Sequence, residues 1–187
     1  VRDNHVGAAT NEFWKGGGGV YSGGGRTVVL RGSTVRGNAT QLVDGGGVYV
    51  FLGATATIEA STLSGNTAGN VGGGLRSLGN VTITNTTLSG NTSIGWYGGA
   101  AFHTDGVLQL LNSTVTGNVS PPFAPAALFV GTFTAAGATL RMTNTIVAGN
   151  TSGCFAGFFG SGPVVLVSGG HNLASDGTCN LTAAGDQ

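Results

Sequence analysis

The chain has 187 residues, 37 of them glycine, with seven basic and seven acidic side chains and a formal net charge of zero. Its length suits one domain with a real core, and its neutrality leaves no electrostatic footprint for nucleic acid or anionic lipid. Glycine without a strict G-X-Y period excludes collagen, regularly spaced Val, Leu and Ile argue against a low-complexity coil, and no apolar run approaches the roughly 20 residues that cross a bilayer.

In chain order, Val1-Arg2-Asp3-Asn4 matches Val35-Arg36-Gly37-Asn38 with Asp for Gly, so 1–15 reads as a partial first coil or cap. The chain then reads as a piece of a longer solenoid; Val1–His5 does not resemble a signal peptide. A Gly-Asn pair next recurs with its asparagine at Asn38, Asn66, Asn91, Asn118 and Asn150, at intervals of 28, 25, 27 and 32 residues. Three residues before each asparagine stands Val35, Leu63, Leu88, Val115 or Val147. Eight before stands Leu30, Ile58, Ile83, Leu110 or Met142, and ten before Val28, Ala56, Val81, Leu108 or Leu140. Mostly polar residues lie between, which is the alternation of a half-buried strand.

Two further columns run in phase. Asn85, Asn112 and Asn144 are expected to stack as a buried amide ladder, and Thr34, Thr62, Thr87 and Thr114 to lie near a corner. The small residues Gly45-Gly46-Gly47, Gly72-Gly73-Gly74 and Gly98-Gly99-Ala100 allow a tight bend and close backbone approach. Such units cannot close a core singly, and stacking at the ~4.8 Å strand spacing buries their columns. The predicted fold is all-β: a right-handed parallel β-helix of about six coils of 25–32 residues, one domain over 1–187. Segment 151–187 is its closing part, stapled by Cys154 and Cys179. Both sit in Gly/Ser-rich turn sequence near one end, and two unrelated thiols are the alternative. The disulfide would contribute about 3.5 kcal/mol and implies an oxidising compartment.

Val81-Thr-Ile-Thr-Asn-Thr-Thr-Leu-Ser-Gly-Asn91, followed by a glycine run, resembles the right-handed parallel β-helix repeat proteins of bacteria. The tail Gly170-His-Asn-Leu-Ala-Ser-Asp-Gly-Thr-Cys-Asn-Leu-Thr182 is similar to their closing segment. The resemblance implies a secreted or surface-anchored protein with a solenoid fold like that of pectate lyases and autotransporter passengers. It carries no particular activity, because solenoids host adhesins, enzymes and structural parts alike.

Polysaccharide cleavage on such a fold needs convergent carboxylates, or carboxylates with a cation. Asp3, Glu12, Asp44, Glu59, Asp105, Asp176 and Asp186 scatter in repeat phase. No enzyme, cofactor or metal site is expected. His103-Thr104-Asp105 reads as a solvated loop and His171 as a packed or capping residue. Eight Asn-X-Ser/Thr sequons occur, and the turn positions Asn38, Asn91, Asn118 and Asn150 are the candidates for glycosylation. Phenylalanines read as core filler, while Trp96-Tyr97 in a glycine-rich loop is the candidate contact surface.

Low charge removes repulsion between copies, and end coils expose unpaired strand edges. The functional expectation is a non-enzymatic extracellular structural or assembly protein. Its partners would be protein, either itself or a larger complex, met through solenoid ends or faces. An adhesin or carbohydrate-binding module with glycan partners is the alternative; a lyase or hydrolase is remote. Nucleic acid is not an expected partner.

Overall fold

A computed structural model describes residues 1–6 and 16–187; Glu12 and most of the segment 1–15 lie outside the described residues. The chain winds as a right-handed parallel β-solenoid of about six turns. Its strands form four parallel sheets. Sheet I takes Val20–Ser22, Val48–Val50, Leu75–Ser77, Ala101–Thr104, Leu128–Thr132 and Cys154–Phe158. Sheet II takes Thr27–Arg31, Thr55–Glu59, Asn80–Thr84, Gly106–Leu111, Ala138–Thr143 and Val164–Ser168. Sheet III takes Thr34–Arg36, Thr62–Ser64, Thr87–Ser89, Thr114–Thr116, Ile146–Ala148 and Leu173–Ala174. The narrower sheet IV takes His5–Val6, Ala39–Thr40, Thr67–Ala68 and Thr92–Ser93.

The three aliphatic columns pair in the expected phase. Ala56, Val81, Leu108 and Leu140 are in register, as are Ile58, Ile83, Leu110 and Met142 in sheet II and Leu63, Leu88, Val115 and Val147 in sheet III. All of them are buried in one core that runs the length of the solenoid. Between them Thr82 and Thr84 point outward and stay partly wet, which is why the strands alternate. The threonines Thr34, Thr62, Thr87 and Thr114 stand in register at the start of the sheet III strands, two residues past the bend from sheet II and so near a corner, as expected.

The two asparagine columns exchange the roles expected of them. Asn38, Asn66, Asn91 and Asn118 form the buried ladder. Asn66 Nδ2 donates to Asn91 Oδ1 at 2.9 Å and to the Val35 carbonyl at 3.0 Å, while the Asn66 backbone N–H donates to the same Oδ1 at 3.1 Å. The pattern repeats from coil to coil, so the column is satisfied without water. The preceding glycines, such as Gly65 at φ 59° and Gly90 at φ 61°, turn the backbone so that the asparagine swings inward. Asn85, Asn112 and Asn144 are instead exposed, at φ 50°, 48° and 49°. They occupy the left-handed bend between sheets II and III, a conformation asparagine tolerates better than most residues. Gly32 and Ala60 fill the same position in the first two coils, at φ 52° and 47°.

Asn4 extends the buried ladder, donating from Nδ2 to Asn38 Oδ1 at 2.8 Å, and Arg2 bridges Arg36. The match of Val1–Asn4 to Val35–Asn38 is thus a match in register. The glycine runs fit so tightly that a Cβ on Gly46 would lie 2.4 Å from the Thr67 carbonyl carbon.

At the other end the tail folds across the last coil. Cys154, on the edge strand of sheet I, is bonded to Cys179 in the short 3-10 turn Gly177–Cys179. Leu181 packs on the core. The N–H groups of His171 and Ala174 donate to the carbonyls of Ala184 and Gln187, so main-chain groups of the last coil are already paired within the chain. Asp186 adds acceptors for Ser168 Oγ and the Asn172 and Ala183 N–H groups.

Candidate functional site

Sheet I breaks the alternation rule, because both of its faces are apolar. Its inward residues, among them Val48, Val50, Leu75, Ala101 and Leu128, join the core. Its outward residues form one column in register: Tyr21, Tyr49, Arg76, Phe102, Phe129 and Phe155. An outward column on a half-buried sheet should be wet, yet Tyr49, Arg76, Phe102 and Phe129 are each 3% exposed or less. Loops shield them. Trp96 and Tyr97 come over from the connection between sheets IV and I, and Phe133 and Phe159 fold back from the strand ends.

The rings stack because parallel strands hold them close to ring-stacking distance. Phe102 and Phe129 lie 4.3 Å apart with an interplanar angle of 7°. Tyr97 stacks over Phe129 at 4.8 Å and over Phe155 at 4.9 Å. Trp96 meets Phe123 edge-on at 5.7 Å, and Phe133 stacks on Phe159 at 5.3 Å.

Arg76 interrupts the aromatic column and carries the only ion pair in it. Its Nε donates to Asp44 Oδ2 at 3.1 Å, and Nη1 donates to the Ser77 carbonyl at 2.8 Å and to Thr104 Oγ1 at 3.0 Å. Its Cζ stands 4.8 Å over the Phe102 ring, a cation–π contact. Asp44 Oδ1 accepts from Asn70 Nδ2 at 2.8 Å. Burial acts against both charges: it lifts the Asp44 carboxyl above the usual range despite Arg76, and draws Arg76 down despite Asp44. The guanidinium nonetheless stays protonated. Burial also pushes the neighbouring Tyr49 phenol up to about 12, so it is a neutral donor.

Between these groups opens a cleft of about 380 Å³, with Asp44, Asn70 and Arg76 on its floor and Trp96, Tyr97 and Phe159 among its walls. That volume lies in the range of small-molecule sites. Trp96, at 53% exposed, stands at the mouth, and Tyr97 is half-buried below it.

Trp96 and Tyr97, the expected contact residues, line this cleft; its other lining residues were not singled out from the sequence. Phe102 and Phe129 are core filler as expected, but of a second core with Val71, on the outer face of sheet I and apart from the solenoid interior. Arg76 was missed, although aligning the residues after each glycine run puts it in phase with Tyr49 and Phe102.

Other expectations need correction. His103-Thr104-Asp105 is not a solvated loop: His103 points into the sheet I side of the core, fully buried, and Asp105 is buried too. Among the described residues neither ring nitrogen of His103 has a hydrogen-bond partner; the Gly106 backbone lies near but outside hydrogen-bond geometry. Asp105 accepts from Thr132 Oγ1 at 3.0 Å and from the Thr134 N–H and hydroxyl at 3.0 and 2.8 Å. Burial raises its carboxyl, but these bonds outweigh burial and hold it below the usual range. His171 is an exposed turn residue at φ 58°.

Glycosylation at Asn38, Asn91 and Asn118 is incompatible with the fold, because each Nδ2 donates within the buried ladder. Asn150 Nδ2 is likewise committed to the Val115 and Ala148 carbonyls. Among the described residues no three His, Cys, Asp or Glu side chains cluster as metal ligands. No described helix is long and apolar enough to cross a membrane. A disulfide of this kind is commonest in proteins of oxidising compartments.

A parallel β-solenoid with an aromatic cleft on one lateral sheet is the class of protein these features define. The right-handed β-helix region family matches residues 1–169, and the chain belongs to that family. No curated protein and no solved structure shows significant similarity to it.

Proposed function

We propose that this chain is an extracellular, non-enzymatic binding module of the adhesin kind, which holds ring-shaped ligands, glycan rings or aryl groups, in the cleft on sheet I. One observation carries the reading: outward aromatics are stacked and roofed by loops around a cleft with polar groups at its floor, where a sheet needing only solubility would present polar residues. Secretion or surface anchoring agrees with the disulfide. A non-enzymatic role is supported by the carboxylates, since Asp44, Glu59, Asp105, Asp176 and Asp186 are each engaged in hydrogen bonds that hold coils or turns.

Assembly by stacking of solenoid ends, the leading expectation from sequence, loses support at one end. The tail pairs main-chain groups over part of the last coil, at Gly153, Cys154, His171 and Ala174, and Met142 lies under the strand Val164–Ser168 and not at an open face. The test is ligand-observed NMR with a panel of oligosaccharides and aryl fragments, on the wild type and Trp96→Ala. Binding that is competitive within the panel and lost in Trp96→Ala, with melting unchanged, is the expected result. A wild type that retains no ring compound, yet cross-links through its ends to other chains, would return the protein to the assembly class.

A further inference from the structure

The polar groups at the base of the cleft constrain the charge of the guest. Arg76 is the cation that lines it, and its charge is already balanced by Asp44 at 3.1 Å. The Arg76 side chain is 4% exposed and that of Asp44 8%, so water screens neither well. Of the three guanidinium nitrogens, Nε and Nη1 are engaged, and Nη2 has no hydrogen bond among the described residues. Asp44 is occupied on both oxygens, by Asn70 and Arg76.

An anionic guest would set two carboxylates against one guanidinium in a nearly dry site. A cationic guest would stand beside Arg76 with the Asp44 oxygens already taken. Either leaves an uncompensated charge against aromatic walls, which is costly. A neutral carbonyl, hydroxyl or ether oxygen meets Nη2 in a charge-assisted hydrogen bond and adds no charge. The walls set the remainder of the guest. Trp96, Tyr97, Phe133 and Phe159 offer ring faces and edges, which favour a flat apolar body.

We infer that the cleft selects an uncharged ring compound, with its flat body against Trp96 and Tyr97 and one hydrogen-bond acceptor buried on Arg76. This rests on the cleft being the binding site, and it excludes acidic and amine-bearing rings as preferred ligands.

A matched trio of one ring and three charges tests it: 2-naphthamide, 2-naphthoate and 2-naphthylmethylammonium, titrated at pH 7 into the wild type, Trp96→Ala and Arg76→Lys. The amide is expected to bind at least about tenfold tighter than either ion, and Trp96→Ala to lose it. Arg76→Lys keeps a cation for Asp44 but removes Nη2, and should weaken the amide about tenfold. Naphthoate or the ammonium binding as tightly as the amide, at a site lost in Trp96→Ala, would overturn the inference and leave the binding-module reading standing. Failure of all three probes to bind would overturn the inference, while a glycan ring retained by the wild type and lost in Trp96→Ala would leave the binding-module reading standing. If Arg76→Lys lacks cooperative melting, the charge series on the wild type and Trp96→Ala decides alone.

Discussion

Acid should loosen this solenoid through one residue, His103. Its imidazole lies inside sheet I, fully buried and in register with Ser77 and Val130, with no hydrogen-bond partner for either nitrogen among the described residues. Burial is the main reason its pKa is pushed down from 6.5 to about 4; nearby Arg76 lowers it further, while the Gly106 backbone and Asp105 act in the opposite sense. Between those values the unfolded chain takes up a proton that the folded chain refuses. Stability therefore falls as pH drops through that window: this contribution is full above about pH 7 and gone below about pH 4. A fall from 6.5 to about 4, at about 1.4 kcal/mol per pH unit, corresponds to about 3 kcal/mol. Asp44, whose carboxyl is raised, works the other way in acid, so the wild-type curve alone does not isolate His103. The measurement is urea unfolding at pH 7.5 and pH 4 for the wild type and His103→Leu, which removes both unpartnered nitrogens. The wild type should lose about 3 kcal/mol more than the variant over that interval. Parallel losses would mean that His103 is hydrated or protonated in the fold, and the account of it as a dry core residue would fail.

Ala60 holds a left-handed φ of 47° where later coils use asparagine, so Ala60→Asn should raise stability by about 0.5–1 kcal/mol in the same urea assay. Removing the disulfide with Cys154→Ser and Cys179→Ser frees a 25-residue loop and should cost about 3.5 kcal/mol; the non-reduced wild type should show no alkylatable thiol by intact mass. Arg76→Leu alone strands the Asp44 carboxylate and should cost about 3–5 kcal/mol, whereas Arg76→Leu with Asp44→Leu should melt near the wild type or above it. A double variant that melts as far below the wild type as Arg76→Leu alone would show that the pair stabilises the fold outright.

The sequence carries sheets II and III in full and sheet I hardly at all, for a physical reason. Val81-Thr82-Ile83-Thr84 alternates because one face is dry and the other wet, and each repeat restates that pattern. Val48-Tyr49-Val50 and Leu128-Phe129-Val130 do not alternate, since loops dry the outer face as well. Tertiary cover of that kind leaves no local signal. The confusion between asparagine columns has a different origin. Both columns recur in phase and both residues can bond to a neighbour, so periodicity cannot say which points inward. The backbone decides: the glycine before Asn66 or Asn91 takes the left-handed turn and sends the amide into the core. Asn85 takes that turn itself, which leaves its side chain outside. Cys154 and Cys179 were legible because both stand in Gly/Ser-rich sequence near one end, although Cys154 opens a strand and only Cys179 lies in a turn.

Stability alone does not account for Arg76. A solenoid repeats side chains at strand spacing, and an aromatic at every coil of this column would stack continuously from Tyr21 to Phe155. Instead a cation stands between Tyr49 and Phe102, and it requires Asp44, Asn70, Ser77 and Thr104 to accommodate it away from water. A buried pair of this kind is at best neutral against an apolar replacement of similar size. What the arrangement supplies is a donor held in place before any ligand arrives, at the base of a cleft whose rings are fixed by the coils beneath them. Rigid positioning of that sort lowers the ordering cost of binding, which is the term that most often limits the affinity of a small ligand. The same reasoning separates the lateral face from the ends. At the C-terminal end the tail already pairs the N–H groups of Gly153, Cys154, His171 and Ala174, although the edge strand Val164–Ser168 stays partly exposed, so less remains there for a partner to gain. On sheet I the edge of Trp96 stays exposed and Arg76 Nη2 has no hydrogen bond among the described residues, so a ligand has contacts to gain on that face.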